Sequence, residues 1–225
     1  FKSASTVNMR IPFSLEDINE AQVAVIRENK LQEAYIRPMC FYGSEGMGLR
    51  ADNLKVHCMV AAWEWPSYMD PEAREKGIKV KLSSFKRQVK NSVSNAKVNG
   101  NYVHSIVALT EALEDGFDEA LMLDTEGFVA EGSGENFFIA RNGVLYSPNL
   151  DSCLDGITRR TIIDLAEELN IPFKVKQITV QDVLDADESF FSGTAAEVVP
   201  INSLDNQIIG AGKRGPITEK LQTTY

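Results

Sequence analysis

Ala130-Glu131-Gly132-Ser133-Gly134-Glu135-Asn136-Phe137-Phe138 sets two carboxylates four residues apart in a run with two glycines, flanked by apolar residues of strand type. Glycine lets a backbone approach a ligand closely. A single Glu in a turn between strands is ordinarily a solvent-facing loop residue. The pair gains weight from three other stretches: Asn95-Ala96-Lys97-Val98-Asn99-Gly100-Asn101-Tyr102 upstream, and Asp155-Gly156-Ile157-Thr158-Arg159 and Ser192-Gly193-Thr194-Ala195-Ala196-Glu197 downstream.

Around these stretches the chain alternates helix and strand signals. Phe1 to Pro12 is mixed and expected at the surface. Ser14 reads as an N-cap with Glu16 and Asp17 in the first turn. Leu15, Ile18, Ala21, Val25 and Ile26 then share a face, which predicts a helix over 15–29. Residues 34–42 alternate as a strand, with Tyr35, Arg37, Met39 and Phe41 on one side. Pro38 lacks an N–H and suits an edge or a bulge. Gly43 to Leu49 is glycine-rich but lacks the Lys-Ser/Thr of a P-loop, so it is expected to be a mobile loop at a site or subunit contact. A strand over 55–63 follows, and prolines 66 and 71 mark a linker.

Further on, strands are expected over 77–84, 119–124 and 128–131, with a polar irregular stretch over 85–94 and a helix over 105–114. Asn142-Gly143 between apolar runs signals a hairpin. A helix over 158–169 opens at Gly156-Ile157-Thr158, a small-residue start whose N–H groups and dipole favour an anion. Residues 173–179, 188–191 and 198–204 read as strands, 180–185 as a helical turn and 215–225 as a helix. The fold class is α+β in two domains: a small α/β domain over 1–65, a linker over 66–72 and a larger domain over 73–225 with a mainly antiparallel sheet.

Composition narrows the function. Of 225 residues, 44% are hydrophobic and 24% charged, with a formal net charge of -9. That acidic balance argues against nucleic acid, which needs clustered Lys and Arg. Lys79 to Arg87 is the longest basic patch and is expected to be a solvated face. Cys40, Cys58 and Cys153 show no pairing or metal spacing and, with only His57 and His104, argue against a metal site and for a reducing, cytoplasmic compartment. No apolar run has the length of a membrane span, about 20 residues. No signal peptide is read, and a chain opening at Phe1 inside an amphipathic pattern is expected to be a fragment or a processed chain.

The candidate chemistry starts at Lys97. Most lysines are solvated surface charges. One that bonds a carbonyl must be able to become neutral, and the neighbours Ala96, Val98, Asn99, Gly100 and Asn101 carry no charge. Tyr102 brings a phenol near. Tyr35 and Arg37, on one strand face, suit a carboxylate, because Arg offers a forked donor and Tyr a hydroxyl; the bland alternative is a surface Arg beside a half-buried Tyr.

Taken together and in this order, the four stretches resemble the branched-chain type of the class-IV, fold-type-IV pyridoxal-phosphate aminotransferases. The resemblance covers nearly the whole chain. It implies a barrel-like large domain, pyridoxal 5'-phosphate as cofactor and a homodimer. It implies that Lys97 bonds the cofactor's aldehyde carbon and moves the substrate's α-proton. By the same resemblance Tyr102 binds the phenolic oxygen and Glu131 the ring nitrogen, and Ile157, Thr158 and Thr194 hold the phosphate. Glu135, Thr194, Ala195, Ala196, Tyr35 and Arg37 are assigned to the substrate site, and Leu49 reaches the partner subunit's pocket. Family members extend roughly sixty residues further at the N-terminus, a large part of a usual small domain, and supply an arginine to the phosphate there; the C-terminus is also short by comparison.

The expected reaction is transamination of L-leucine, L-isoleucine or L-valine with 2-oxoglutarate, in branched-chain amino acid biosynthesis and breakdown. Alternatives on the same fold are a D-amino-acid aminotransferase and an aminodeoxychorismate lyase. An alternative of another class is a cofactor-free oligomerisation or binding module.

Overall fold

Ser14 begins the first long helix because its hydroxyl accepts from Asp17 N at 3.0 Å while Asp17 accepts from Ser14 N at 2.8 Å, a reciprocal capping box. The computed structural model describes residues 1–65, 72–87 and 93–225. The chain divides into two units, Phe1–Pro66 and Ser67–Tyr225. All of the expected linker except Glu72 lies outside the described residues, as do 88–92 of the irregular stretch.

The first unit contains α1 (Lys2–Thr6), a short helix without a signal in the sequence pattern, then α2 (Leu15–Glu28), β1 (Tyr35–Tyr42) and β2 (Val56–Trp63). The two strands form an antiparallel ribbon with Tyr35 opposite Trp63 and Cys40 opposite Cys58. One ribbon face carries Tyr35, Arg37, Met39 and Phe41. There the Tyr35 and Trp63 rings lie 5.2 Å apart, and Phe41 stacks on His57 at 5.5 Å. Such cross-strand pairs hold this ribbon, two-stranded among the described residues.

The second unit runs α3 (Ala73–Lys76), β3 (Ile78–Leu82), α4 (Tyr102–Glu114), β4 (Glu119–Leu123), β5 (Val129–Gly132), β6 (Asn136–Arg141), β7 (Val144–Ser147), α5 (Ile157–Glu168), β8 (Phe173–Val175), α6 (Val180–Leu184), β9 (Glu188–Gly193), β10 (Glu197–Leu204), β11 (Gln207–Ile208) and α7 (Pro216–Thr224). The strands form one 9-stranded sheet in the order β11-β10-β3-β4-β5-β6-β7-β8, with β9 pairing both β10 and β6. That double pairing closes β3, β4, β5, β6, β9 and β10 into a ring, the barrel-like sheet the resemblance implied. Asn142 and Gly143, at φ 51 and 76, make the hairpin turn between β6 and β7. The parallel neighbours β3/β4 and β7/β8 are joined through α4 and α5, as parallel strands require.

Both faces of the ring are covered. Phe137, Phe191, Leu121 and Val129 belong to one core cluster. Their chain neighbours Phe138 and Phe190 pack with Ile162 and Ala166 of α5 and Leu221 of α7, their rings stacked at 4.9 Å. Ala108 and Ala112 of α4 sit on Ala120 and Met122 of β4. Strands buried on both faces lose the polar/apolar alternation of a half-buried sheet. Two expectations need correction. The 173–179 strand ends at Val175, where pairing with Ser147 ends. The 105–114 helix starts earlier, at Tyr102.

Candidate active site

Glu131, the penultimate residue of β5, faces Asn136, the first residue of β6, across the turn 132–135. Its carboxylate is buried and satisfied from three sides. Arg87 forms an ion pair with it, Leu154 N donates to it at 3.0 Å, and Asn136 Nδ2 approaches at 3.4 Å. Burial pushes the carboxyl upward, and the Arg87 charge opposes that shift most strongly. Asn136 also donates to Leu154 O at 2.8 Å, so the 154–156 loop is clamped to the start of β6.

That clamp reaches the next helix. Gly156 caps α5, and a Cβ there would lie 2.2 Å from Asn136 Oδ1, so only glycine allows the approach. Among the described residues no side chain caps α5. Its first-turn N–H groups and dipole therefore form an anion site, rigidly tied to Glu131 through Asn136. Thr158, in this first turn, is buried; Ile157 is exposed. Arg159 is buried and donates to Ser147 Oγ at 3.2 Å and to Pro148 O at 3.4 Å, with burial pulling its pKa down.

Lys97 lies in an exposed loop, its Nζ 2.9 Å from the Tyr102 hydroxyl and 5.3 Å from that ring's centre. Asn101 steadies the loop by donating to Ala96 O at 2.9 Å and Val93 O at 2.7 Å. The Lys97 charge is felt at Glu131. A cleft lined by Arg87, Tyr102, Glu131, Gly134, Asn136 and Leu154 joins the Tyr102 phenol to Glu131. Glu135 also lines it, buried, and accepts from Gly134 N at 3.0 Å. Beside it runs Gly193, where a Cβ would lie 3.3 Å from Glu135 Cγ, so the turn of Thr194, Ala195 and Ala196 between β9 and β10 opens next to Glu135. Thr194 is exposed, Ala195 half-buried and Ala196 part of the core.

The remaining site candidates are in the first unit. Arg37 Nη2 donates to the Tyr35 hydroxyl at 3.3 Å, and its guanidinium lies 5.4 Å from the Tyr35 ring centre. Leu49 is fully exposed in its loop.

Sequence reasoning missed Arg87, which it placed in a solvated basic patch; the residue is buried against Glu131 and donates to Asn101 O at 3.3 Å. It also missed the Leu154 backbone and Glu119, a buried carboxyl at the start of β4. No spacing signal marks any of these. Among the described residues no helix is long and apolar enough to cross a membrane, and no group of His, Cys, Asp and Glu gathers as a metal set.

The second unit thus holds an amine beside a phenol, a buried carboxylate able to face a ring nitrogen, and an uncapped helix start for a phosphate. That donor set fits pyridoxal 5'-phosphate. Residues 1–204 match the family model of amino-transferase class IV. The chain belongs to that family. It is 58% identical over 226 residues to the branched-chain-amino-acid aminotransferase of Pseudomonas aeruginosa, covering 100% of this chain and 74% of that protein. Among solved structures it is similar to the branched-chain amino acid aminotransferase of T.th. with pyridoxamine 5'-phosphate, at a TM-score of 0.96 and 42% identity over 100% of this chain and 74% of the other. The same enzyme complexed with N-(5'-phosphopyridoxyl)-L-glutamate gives a TM-score of 0.92 at 42% identity, with the same coverage.

Proposed function

We propose that this chain transaminates L-branched-chain amino acids with 2-oxoglutarate, giving branched-chain 2-oxo acids and L-glutamate, with pyridoxal 5'-phosphate as cofactor. The observation that carries this reading is the single frame Glu131–Asn136–Leu154–Gly156, which ties a ring-nitrogen acid to a phosphate-binding helix start, with the Lys97 amine in range of Glu131. The phosphopyridoxyl-L-glutamate complex of the relative supports the L-hand and glutamate as the shared product.

When bound, the cofactor supplies an electron-withdrawing ring that accepts the electrons left on the substrate's α-carbon. Lys97 would hold its aldehyde carbon, and its Nζ would serve as the base that takes the substrate's α-proton. Tyr102 orients the Lys97 amine and donates to the phenolic oxygen. Glu131 keeps the ring nitrogen protonated, and its link to Arg87 and Leu154 N fixes its direction. Ile157 and Thr158, at the start of α5, and Thr194 hold the phosphate. Ala195 and Ala196 offer backbone N–H groups to the substrate carboxylate, beside Glu135; Tyr35 and Arg37 are the candidate side-chain donors of the first unit. Leu49 belongs to a loop that serves the neighbouring subunit of a homodimer, and the enzyme is cytoplasmic.

The test is the visible spectrum of purified protein with added pyridoxal phosphate, for wild type and Lys97→Ala, before and after L-leucine. A lysine-bound cofactor band that collapses with L-leucine, and does not form in the variant, is the expected result. A band that responds only to a D-amino acid would replace this reading with the D-specific one.

A further inference from the structure

We propose that Glu119 and Glu135 share one proton as a hydrogen-bonded acid–carboxylate pair, and that this pair positions the 132–135 turn that aims Glu131. The positioning role rests on the function proposed above. Glu119 is 1% exposed and Glu135 7%. Their carboxyl groups are in hydrogen-bond contact with each other. Carboxylate oxygens only accept, so that contact needs a proton on one of them.

Every other bond to the pair comes from a neutral donor. Glu119 Oε1 accepts from Ala120 N at 2.7 Å and Ser133 N at 3.3 Å, and Glu135 Oε2 accepts from Gly134 N at 3.0 Å. The charged groups on the surrounding elements are committed elsewhere or exposed. Arg87 pairs with Glu131, Lys79 is exposed, and Lys81 pairs with Asp115. Glu111 of α4 is held by Ser83 and Ser84, and Glu188 of β9 by Thr218. Among the described residues no cation pairs with either member. Two buried negative charges in contact without a cation are far costlier than one charge and one neutral acid. Glu135 is the better proton holder: it also feels Glu131, and burial with the Glu119 charge pushes it up to about 8.

The pair grips the turn from both sides, Glu119 through Ser133 and Glu135 through Gly134. Gly132 makes room for it. A Cβ on Gly132 would lie 2.9 Å from the Phe191 ring and 3.1 Å from Glu135 Oε2. The ends of the turn are Glu131 and Asn136, so its shape sets the direction of the carboxylate that faces the cleft.

The sign of the pH dependence follows. The folded protein holds this proton more tightly than the unfolded chain, whose Glu titrates at 4.5. Its contribution is complete below that value and is lost as pH rises through about 8. Above it, a second charge beside Glu131 loosens the turn.

Infrared spectra of the protein with and without pyridoxal phosphate, for wild type, Glu119→Gln and Glu119→Ala, test this. Wild type is expected to show the carbonyl stretch of a neutral buried carboxylic acid at neutral pH, with or without cofactor, and Glu119→Gln to lose it. A Gln amide donates to the Glu135 carboxylate without a titrating proton. Glu119→Gln should therefore bind pyridoxal phosphate at neutral pH within about threefold of wild type but lose the decline that wild type shows as pH rises through about 8. Glu119→Ala should bind at least about tenfold more weakly. Absence of the acid band in wild type would overturn the shared proton. Glu119→Gln behaving as Glu119→Ala, or keeping the alkaline decline, would overturn the positioning role. The band is read on cofactor-free protein too, so a failure to bind pyridoxal phosphate would count against the enzyme reading and not against the pair.

Discussion

The β1–β2 ribbon and the closed sheet differ in what fixes a side chain. In the first unit no described residue is fully buried, and Tyr35 and Arg37 are held by tilted ring contacts and one another. In the ring β3–β6, β9 and β10, neighbouring residues such as Phe137 and Phe138 are both buried, each in a different cluster. Close packing on two faces fixes position to a fraction of an ångström; pairwise stacking on a ribbon leaves room to adjust. The groups with one required direction, Glu131 and Asn136, are on the closed sheet. The candidate carboxylate donors, Tyr35 and Arg37, are on the ribbon.

The largest expected effect tests whether the second unit owns the chemistry. Lys97→Ala should lower kcat by at least about 10³-fold, since it removes both the covalent anchor and the proton carrier. Arg37→Ala should instead act mainly on KM, because a carboxylate contact made equally throughout the reaction contributes uniform binding. Steady-state rates with L-leucine check both, and a kcat loss for Arg37→Ala as large as that for Lys97→Ala would break the division.

Stability gives the next contrast. Glu131→Ala leaves Arg87 buried opposite no carboxylate and should cost about 3–5 kcal/mol. Phe190→Ala opens a cavity under α5 and α7 and should cost a similar 3–5 kcal/mol or so. Ile26→Ala, on the half-buried face of α2, should cost about 1 kcal/mol or less. Denaturant midpoints at constant m check the ranking. Gly156→Ala falls between: its Cβ meets Asn136 Oδ1 and should cost about 1–3 kcal/mol, with a loss of pyridoxal phosphate affinity that Ile26→Ala does not share.

The same contrast explains what could be read from sequence. Local chemistry was legible: the Ser14–Asp17 capping box, the Asn142-Gly143 turn, and the alternation of β1 that puts Tyr35 and Arg37 on one face. The closure of the sheet was not legible from the residues, because β9 meets β6 and β10 meets β3 across long stretches of chain, and doubly buried strands carry no alternation to count. It came from the family resemblance. In the site, Lys97, Glu131 and the Gly156 helix start stood out by their neighbours. Arg87 and Glu119 did not: one sits in a basic run, the other in an ordinary strand, and only burial against a partner gives them a role.

Cys40 and Cys58 show no pairing spacing in the sequence and are free thiols in the structure, and the antiparallel register sets them directly opposite with the sulfurs 3.1 Å apart. They give the finest probe of the ribbon. Burial, and then the neighbouring Cys40 thiol, push Cys58 up to about 11, so the thiolate is scarce and oxidation by glutathione disulfide should be slow at neutral pH and faster at alkaline pH. The expected product is a disulfide with two thiols lost per chain, two glutathiones released and the buried Cys153 thiol kept. Hydrogen exchange should then slow in β1 and β2 and stay unchanged in β4, β5, β6, β9 and β10, since a crosslink adds constraint only where the backbone was free to open. Slowed exchange in both regions would mean that the ribbon and the sheet open as one unit, and the division between adjustable and fixed groups would fail. A stable mixed disulfide with glutathione on one cysteine would show that the ribbon shifts its register in solution.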